Sequence, residues 1–185
     1  MIAFLFATLN VSANEGKLNL VDNENTKSVV FELEAPAGNT DIRLFDANNN
    51  IIYSENITKD TYLKKFDLAK LESGLYFFST EDEIMMVTYT IRVAESEVTI
   101  IDKKEKSKPI FKKEENMLYL NLLNLSKKKV QIEVYDSSNR LVFSEKRENE
   151  MIIEKAFNFT KAFEDSYTVI VTDSEKSYFE NILVN

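Results

Sequence analysis

Apolar positions along this chain come in short runs separated by polar turn residues: Leu18 to Val21, Val29 to Leu33, Ile42 to Phe45, Ile51 to Tyr53, Leu75 to Phe78 and Met85 to Val93. Their members are largely β-branched or aromatic, and their lengths and spacing predict strands of an antiparallel sandwich. Long stretches with a 3.6-residue period are absent. Phe157 to Phe163 aligns with Phe66 to Leu71 and reads as a strand end and corner rather than a helix. The predicted fold class is all-β.

The pattern occurs twice. Asp41 to Glu55 lines up without a gap on Gln131 to Glu145, an offset of 90 fixed by Ile42/Ile132 and shared by Asp46/Asp136, Asn49/Asn139, Ser54/Ser144 and Glu55/Glu145. Further on, Phe66/Phe157, Lys70/Lys161, Tyr76/Tyr167, Ile91/Ile182 and Val93/Val184 hold an offset of 91. A unit of this length suits a β-sandwich that closes its own core, not a solenoid repeat that borrows one. Two tandem modules are therefore expected, 14–95 and 96–185. Leu18 to Asp22 is matched to Val98 to Asp102 as the first strand of each. The boundary is then expected near Ala94 to Glu97, and the charged segment Lys103 to Glu115 becomes a Lys-rich insertion, a solvated loop, within the second module.

Residues 1–13 are uncharged and mostly apolar, and end in Val11-Ser12-Ala13, which reads as a secretory signal whose basic n-region is missing. The run is shorter than the ~20 residues that span a bilayer, so a membrane-spanning chain is not expected. There is no cysteine, so apolar burial and strand ladders must hold each module. With 44% hydrophobic residues, 13 Phe and 8 Tyr, the material is present. A net charge of −8 repels phosphate backbones, which excludes nucleic acid as a partner.

Candidate chemistry is sparse. No His, Cys or Trp occurs, which removes Ser-His-Asp and Cys-His nucleophilic systems and every imidazole or thiolate metal site. Carboxylate catalysis needs two acids facing across a cleft. The Glu81-Asp82-Glu83 group instead reads as a solvated turn, so no catalytic residues, metal or cofactor are expected. Asp46 and Asp136 are expected to accept backbone N–H groups across a hairpin turn, and Asn49 and Asn139 to take its positive-φ position. Asp46-x-Asn48-x-Asn50 imitates the opening of a calcium loop, but Ile51 and Ile57 stand where that loop needs Gly and Glu, and the duplicate has Arg140. Lys103, Lys104, Lys106, Lys108, Lys112 and Lys113 could dock an anionic partner; the competing reading is a solvated segment protecting an edge strand. For glycan binding, the candidate stacking aromatics Tyr53, Tyr76, Tyr89, Tyr119, Tyr135, Tyr167 and Phe179 serve equally well as packing partners.

The hairpin at Asp46 and the stretch Phe66-Asp-Leu-Ala-Lys-Leu-Glu-Ser-Gly-Leu-Tyr76 resemble the C-terminal sorting domains of the Por, or type IX, secretion system of Bacteroidetes. Those domains are similar in having an aromatic-Asp-x-x-Gly-x hairpin followed by Leu-x-x-Leu-x-x-Gly-x-Tyr. The second module departs from the pattern with Glu164-Asp165-Ser166-Tyr167. The resemblance implies an Ig-like sandwich, no cofactor, and a place in the periplasm, at the cell surface or outside the cell. Sorting domains sit once behind a larger cargo, whereas two copies are read here, so a tandem, free-standing pair with a structural or protein-interaction role toward another envelope or secreted protein is expected. Glycan binding and engagement by a type IX machinery are the alternatives.

Overall fold

The computed structural model describes residues 17–22, 26–34, 36 and 38–185. The expected signal over residues 1–13 lies outside them. Fifteen strands occur among the described residues, with no helix. The first eight are β1 (Lys17–Asp22), β2 (Ser28–Glu34), β3 (Thr40–Asp46), β4 (Ile51–Ile57), β5 (Thr61–Asp67), β6 (Gly74–Glu81), β7 (Met85–Val93) and β8 (Val98–Ser107). The others are β9 (Ile110–Glu114), β10 (Met117–Leu123), β11 (Val130–Tyr135), β12 (Leu141–Arg147), β13 (Ile152–Asn158), β14 (Asp165–Thr172) and β15 (Ser177–Val184).

Every pairing is antiparallel, and the same order appears twice. A sheet β1-β2-β5 faces a sheet β4-β3-β6-β7-β8, and a sheet β13-β10-β9 faces a sheet β12-β11-β14-β15. Alternation along each strand sends one set of side chains inward. Thus β11 buries Val130, Ile132 and Val134 and leaves Gln131 and Glu133 outside. Two separate cores result. Phe31, Leu33 and Phe66 from one sheet meet Ile42, Phe78 and Ile91 from the other. Leu118, Leu120 and Ile153 likewise meet Ile132, Val169 and Ile182.

Each core is built around a chain of rings. Tyr53 packs edge-on to Phe66 with centroids 5.2 Å apart, Phe66 packs on Phe78 at 5.2 Å, and Phe78 on Phe31 at 5.1 Å. In the second sandwich Phe143 and Phe157 repeat the Tyr53–Phe66 contact at 5.5 Å. Edge-to-face geometry places the positive rim of one ring on the negative face of the next.

The structure corrects the expected boundary. Val98 to Ser107 is not the first strand of the second module but β8, which extends the first sheet by pairing with β7 from Val93↔Val98 to Met85↔Ser107. Ala94 to Glu97 is the turn between them, closed by the Ala94 N–H on the Glu97 carbonyl at 2.9 Å. The counterpart of β1 is β9, which pairs with β10 as β1 pairs with β2. Nor is Lys103 to Glu115 a loop: it consists of the end of β8, a short connection and β9. An edge strand exposed on both faces carries charge at successive positions, and its residue pattern is then that of a loop.

Candidate functional site

Two hairpins repeat the same backbone contacts, with a different side chain on the second carboxylate oxygen. In the first, Asp46 Oδ1 accepts the N–H groups of Asn48 at 2.8 Å and Asn50 at 2.9 Å, while Oδ2 accepts the Asn50 side-chain amide at 2.8 Å. In the second, Asp136 Oδ1 accepts from Ser138 at 3.0 Å and Arg140 at 2.9 Å, and Oδ2 takes Arg140 Nε at 2.7 Å. Asn49 and Asn139 adopt φ of 63° and 57°. Each hairpin carries a β-bulge, with Ile52 or Val142 as the extra residue. The Asn50 side-chain amide, foremost, holds Asp46 below the usual carboxylate range, and the Arg140 N–H does so for Asp136. The carboxylate lone pairs are taken up by the turns themselves. No group of three or more potential metal-ligating side chains is present among the described residues.

A second repeated device closes the side of each sandwich where the edge strands of its two sheets meet. Lys64 on β5 lies 3.0 Å from Glu55 on β4, with its Nζ 4.6 Å from the Tyr53 ring centroid. Lys155 on β13 lies 2.7 Å from Glu145 on β12, its Nζ 4.7 Å from the Phe143 ring centroid. In the first module the Tyr53 and Tyr62 hydroxyls also donate to Glu55, and with Lys64 they lower its pKa to about 2. A third repeated device is the tyrosine corner of Ig-like sandwiches. Tyr76 O–H donates to the Glu72 carbonyl at 3.0 Å, and Tyr167 O–H to the Phe163 carbonyl at 3.1 Å. The sequence aligned Tyr76 with Tyr167 but did not reveal this role. The signal was available in the tyrosine two or three residues into the sixth strand of each module.

Five of the six lysines singled out by sequence sit in ion pairs. Lys103 pairs with Glu105 at 2.6 Å, Lys106 with Asp173 and Glu175 at 3.0 Å each, Lys108 with Glu81 at 2.9 Å, Lys112 with Glu114 at 2.6 Å and Lys113 with Glu180 at 2.5 Å. Lys104 lines a cleft of about 590 Å³ between the two sandwiches, together with Met86, Leu123, Leu125 and Glu175. Their charges are thus divided among acids on several strands. In the Glu81-Asp82-Glu83 group, Glu81 faces lysines, and Asp82 Oδ1 caps the β6–β7 turn by accepting the N–H of Ile84 at 2.9 Å and Met85 at 2.7 Å.

The candidate stacking aromatics are dispersed. Tyr76, Tyr89 and Tyr167 are buried, Tyr53 packs on Phe66 and Tyr135 is half-buried. Tyr119 and Phe179 are exposed on opposite sheets of the second sandwich. The half-buried Tyr62 lies with its ring centroid 6.1 Å from that of Phe31. The half-buried Tyr178 carries Lys176 Nζ 5.5 Å from its ring centroid.

Residues 23–104 match the secretion system C-terminal sorting domain. This span runs from the β1–β2 connection into β8, past the Ala94–Glu97 turn, and so takes in β2 to β7 and most of β8 of the first sandwich but not β1. It contains the hairpin and the Phe66 to Tyr76 stretch on which the sequence resemblance rests. No curated protein matches the chain.

Among solved structures, a biofilm-associated protein BSP domain aligns over 91% of this chain and 29% of its own, at 14% identity and TM-score 0.30. The present chain therefore spans under a third of that protein's length. The human OSCAR ligand-binding domain aligns over 90% and 97% at 10% identity and TM-score 0.27. The FN1–FN3 domains of chicken CNTN1 align over 91% and 66% at 9% identity and TM-score 0.29. The Ig-like assignment stands on the strand order and the two tyrosine corners. Among the described residues no helix is long and apolar enough to cross a membrane.

Proposed function

We propose that this protein is exported and acts without catalysis as a structural or protein-docking element of the cell envelope or its surroundings, its first module being of the sorting type. The observation that carries this reading is the overlap of the sorting-domain match, residues 23–104, with β2 to β7 and the first part of β8 of one self-contained sandwich. Three features support it. The hairpin acids are used by their own turns, five of the six singled-out lysines are paired, and the three acids that line the cleft between the modules, Glu105, Asp173 and Glu175, sit in ion pairs with lysines. The dispersal of the exposed aromatics gives no support to glycan stacking.

The test is fractionation of native cells carrying the full chain or a chain lacking residues 23–104, combined with cross-linking in place. The full chain is expected at the envelope or outside the cell, cross-linked to a protein partner. A full chain found in the cytoplasm, or exported but never cross-linked, contradicts the reading.

The same match favours a second reading, engagement by a type IX secretion machinery. Fusion of residues 17–107 behind an unrelated exported cargo separates the two. Cargo delivered to the cell surface only in the presence of that machinery supports a sorting role. Cargo retained in the periplasm leaves the docking role alone.

A further inference from the structure

The two sandwiches meet where β8 hands over to β9, and only Lys108 and Pro109 separate Ser107 from Ile110. Proline fixes its own φ and holds the residue before it in an extended conformation, so the backbone at this seam has little slack. Charged side chains cross the seam in both directions. Lys106, at the end of β8, donates to Asp173 and to Glu175 in the β14–β15 turn, each at 3.0 Å. In the opposite sense Glu81, at the end of β6, accepts from Lys176 of that same turn at 3.2 Å, and from Lys108 at 2.9 Å.

Asp173 is held in position for this contact. Its Oδ1 also accepts the N–H groups of Glu175 at 2.8 Å and Lys176 at 2.9 Å. The side chains of Lys108, Glu81 and Asp173 are only 16–17% exposed. An isolated surface pair contributes little, because solvent screens it and two long side chains must be ordered. Here Glu81, Asp173 and Lys106 are partly desolvated and shared among several partners, whereas Lys176 and Glu175, 47% and 62% exposed, stay open to screening. Because each module supplies both a cation and an acid, sliding or rotating one module breaks both sets of contacts at once.

We propose that the reciprocal contacts of Lys106 with Asp173 and Glu175, and of Glu81 with Lys176, form an ionic clasp that holds the two sandwiches at one angle and is released by ionic strength. The cleft of about 590 Å³ beside it, lined by Met86, Thr88, Lys104, Leu123 and Leu125, keeps its shape only while the clasp is shut. The clasp follows from the geometry of the seam and is independent of how the protein is exported.

The full chain, which contains no cysteine, accepts a pair of spin labels at Ala47→Cys and Ser138→Cys, in the two exposed hairpins. Double electron–electron resonance then reads the distance distribution between modules. A single narrow peak is expected at low salt. It should be lost between about 0.01 M and about 1 M salt, over which the screening length falls from ~30 Å to ~3 Å. The double reversal Lys106→Glu with Lys176→Glu should lose the peak even at low salt, whereas Lys106→Arg keeps it and the thermal melts of both cores stay unchanged. A peak that survives about 1 M salt overturns the clasp in favour of the backbone connection, as does one that survives the charge reversal, and a broad distribution in the unsubstituted protein at low salt overturns it equally. The salt titration needs no charge substitution, so it decides the matter even if the double variant fails to fold.

Discussion

Tyr76 donates its hydroxyl to the carbonyl of Glu72, four residues upstream, at 3.0 Å, and Tyr167 repeats the contact on Phe163. Both rings are buried, so the hydroxyl brings a polar group into the apolar edge of the core and must find an acceptor. Replacing Tyr76 by Phe removes the donor and leaves the Glu72 carbonyl without it. The expected loss is about 1 kcal/mol from the first sandwich, and the same from the second for Tyr167→Phe. Urea unfolding followed separately in each module checks this.

The first module carries a latch that responds to acid. Donation by the Tyr53 and Tyr62 hydroxyls and by Lys64 lowers the Glu55 pKa from 4.5 to about 2. A carboxylate whose folded value lies below its unfolded one adds stability above the unfolded pKa, and that stability is lost as pH falls through the folded value. The window is therefore about pH 4.5 down to about pH 2. Glu55→Gln should flatten the pH dependence of the first module there and leave the second unaltered. Urea midpoints at several pH values across the window check it, and an unchanged slope in the variant counts against the latch.

Asn49 and Asn139 hold φ of 63° and 57°, a region that costs an ordinary side chain about 1–2 kcal/mol and glycine nothing. Asn49→Ala and Asn139→Ala should each destabilise their own module by about 1 kcal/mol, while the Gly variants stay close to the parent. Thermal melts of the four variants give the comparison.

Much of this fold was legible in the sequence for specific reasons. Alternation marked the strands, and the Asp46 and Asp136 turns use local chemistry that a short window contains. The assignment of Val98 to Asp102 failed because its alternation matches that of Leu18 to Asp22. What decides its partner is the tight Ala94–Glu97 turn and a long-range register with β7, with Ile101 as a bulge residue between Ile91↔Ile100 and Thr90↔Asp102. Pairing across a sandwich has no sequence signature, which also hid the Glu55–Lys64 and Glu145–Lys155 latches. The two glutamates were seen to repeat, but their lysines lie on a different sheet. The Lys106 and Glu81 contacts were out of reach for the same reason, because their partners are 67 and 95 residues away.

Placing β8 in the first sandwich has a direct consequence for truncation. Val98 is buried in that core and Ile100 packs against it, and β8 also covers the outer edge of β7. A fragment ending at residue 107 should be soluble and melt cooperatively, whereas one ending at residue 95 exposes the edge of β7 and should melt lower and aggregate. Equal stability of the two fragments would return β8 to the second module.

The central claim is that each half shuts its own apolar interior between two sheets. Phe78 and Ile132 lie fully buried, one in each core, and truncating either to Ala should cost about 2–5 kcal/mol. Site-resolved amide hydrogen exchange on the full chain is the most direct measurement. Phe78→Ala should speed exchange in β1 to β8 and leave β10 to β15 protected, and Ile132→Ala should do the reverse. Loss of protection spread evenly over both halves by either substitution would show a single shared core and contradict the account.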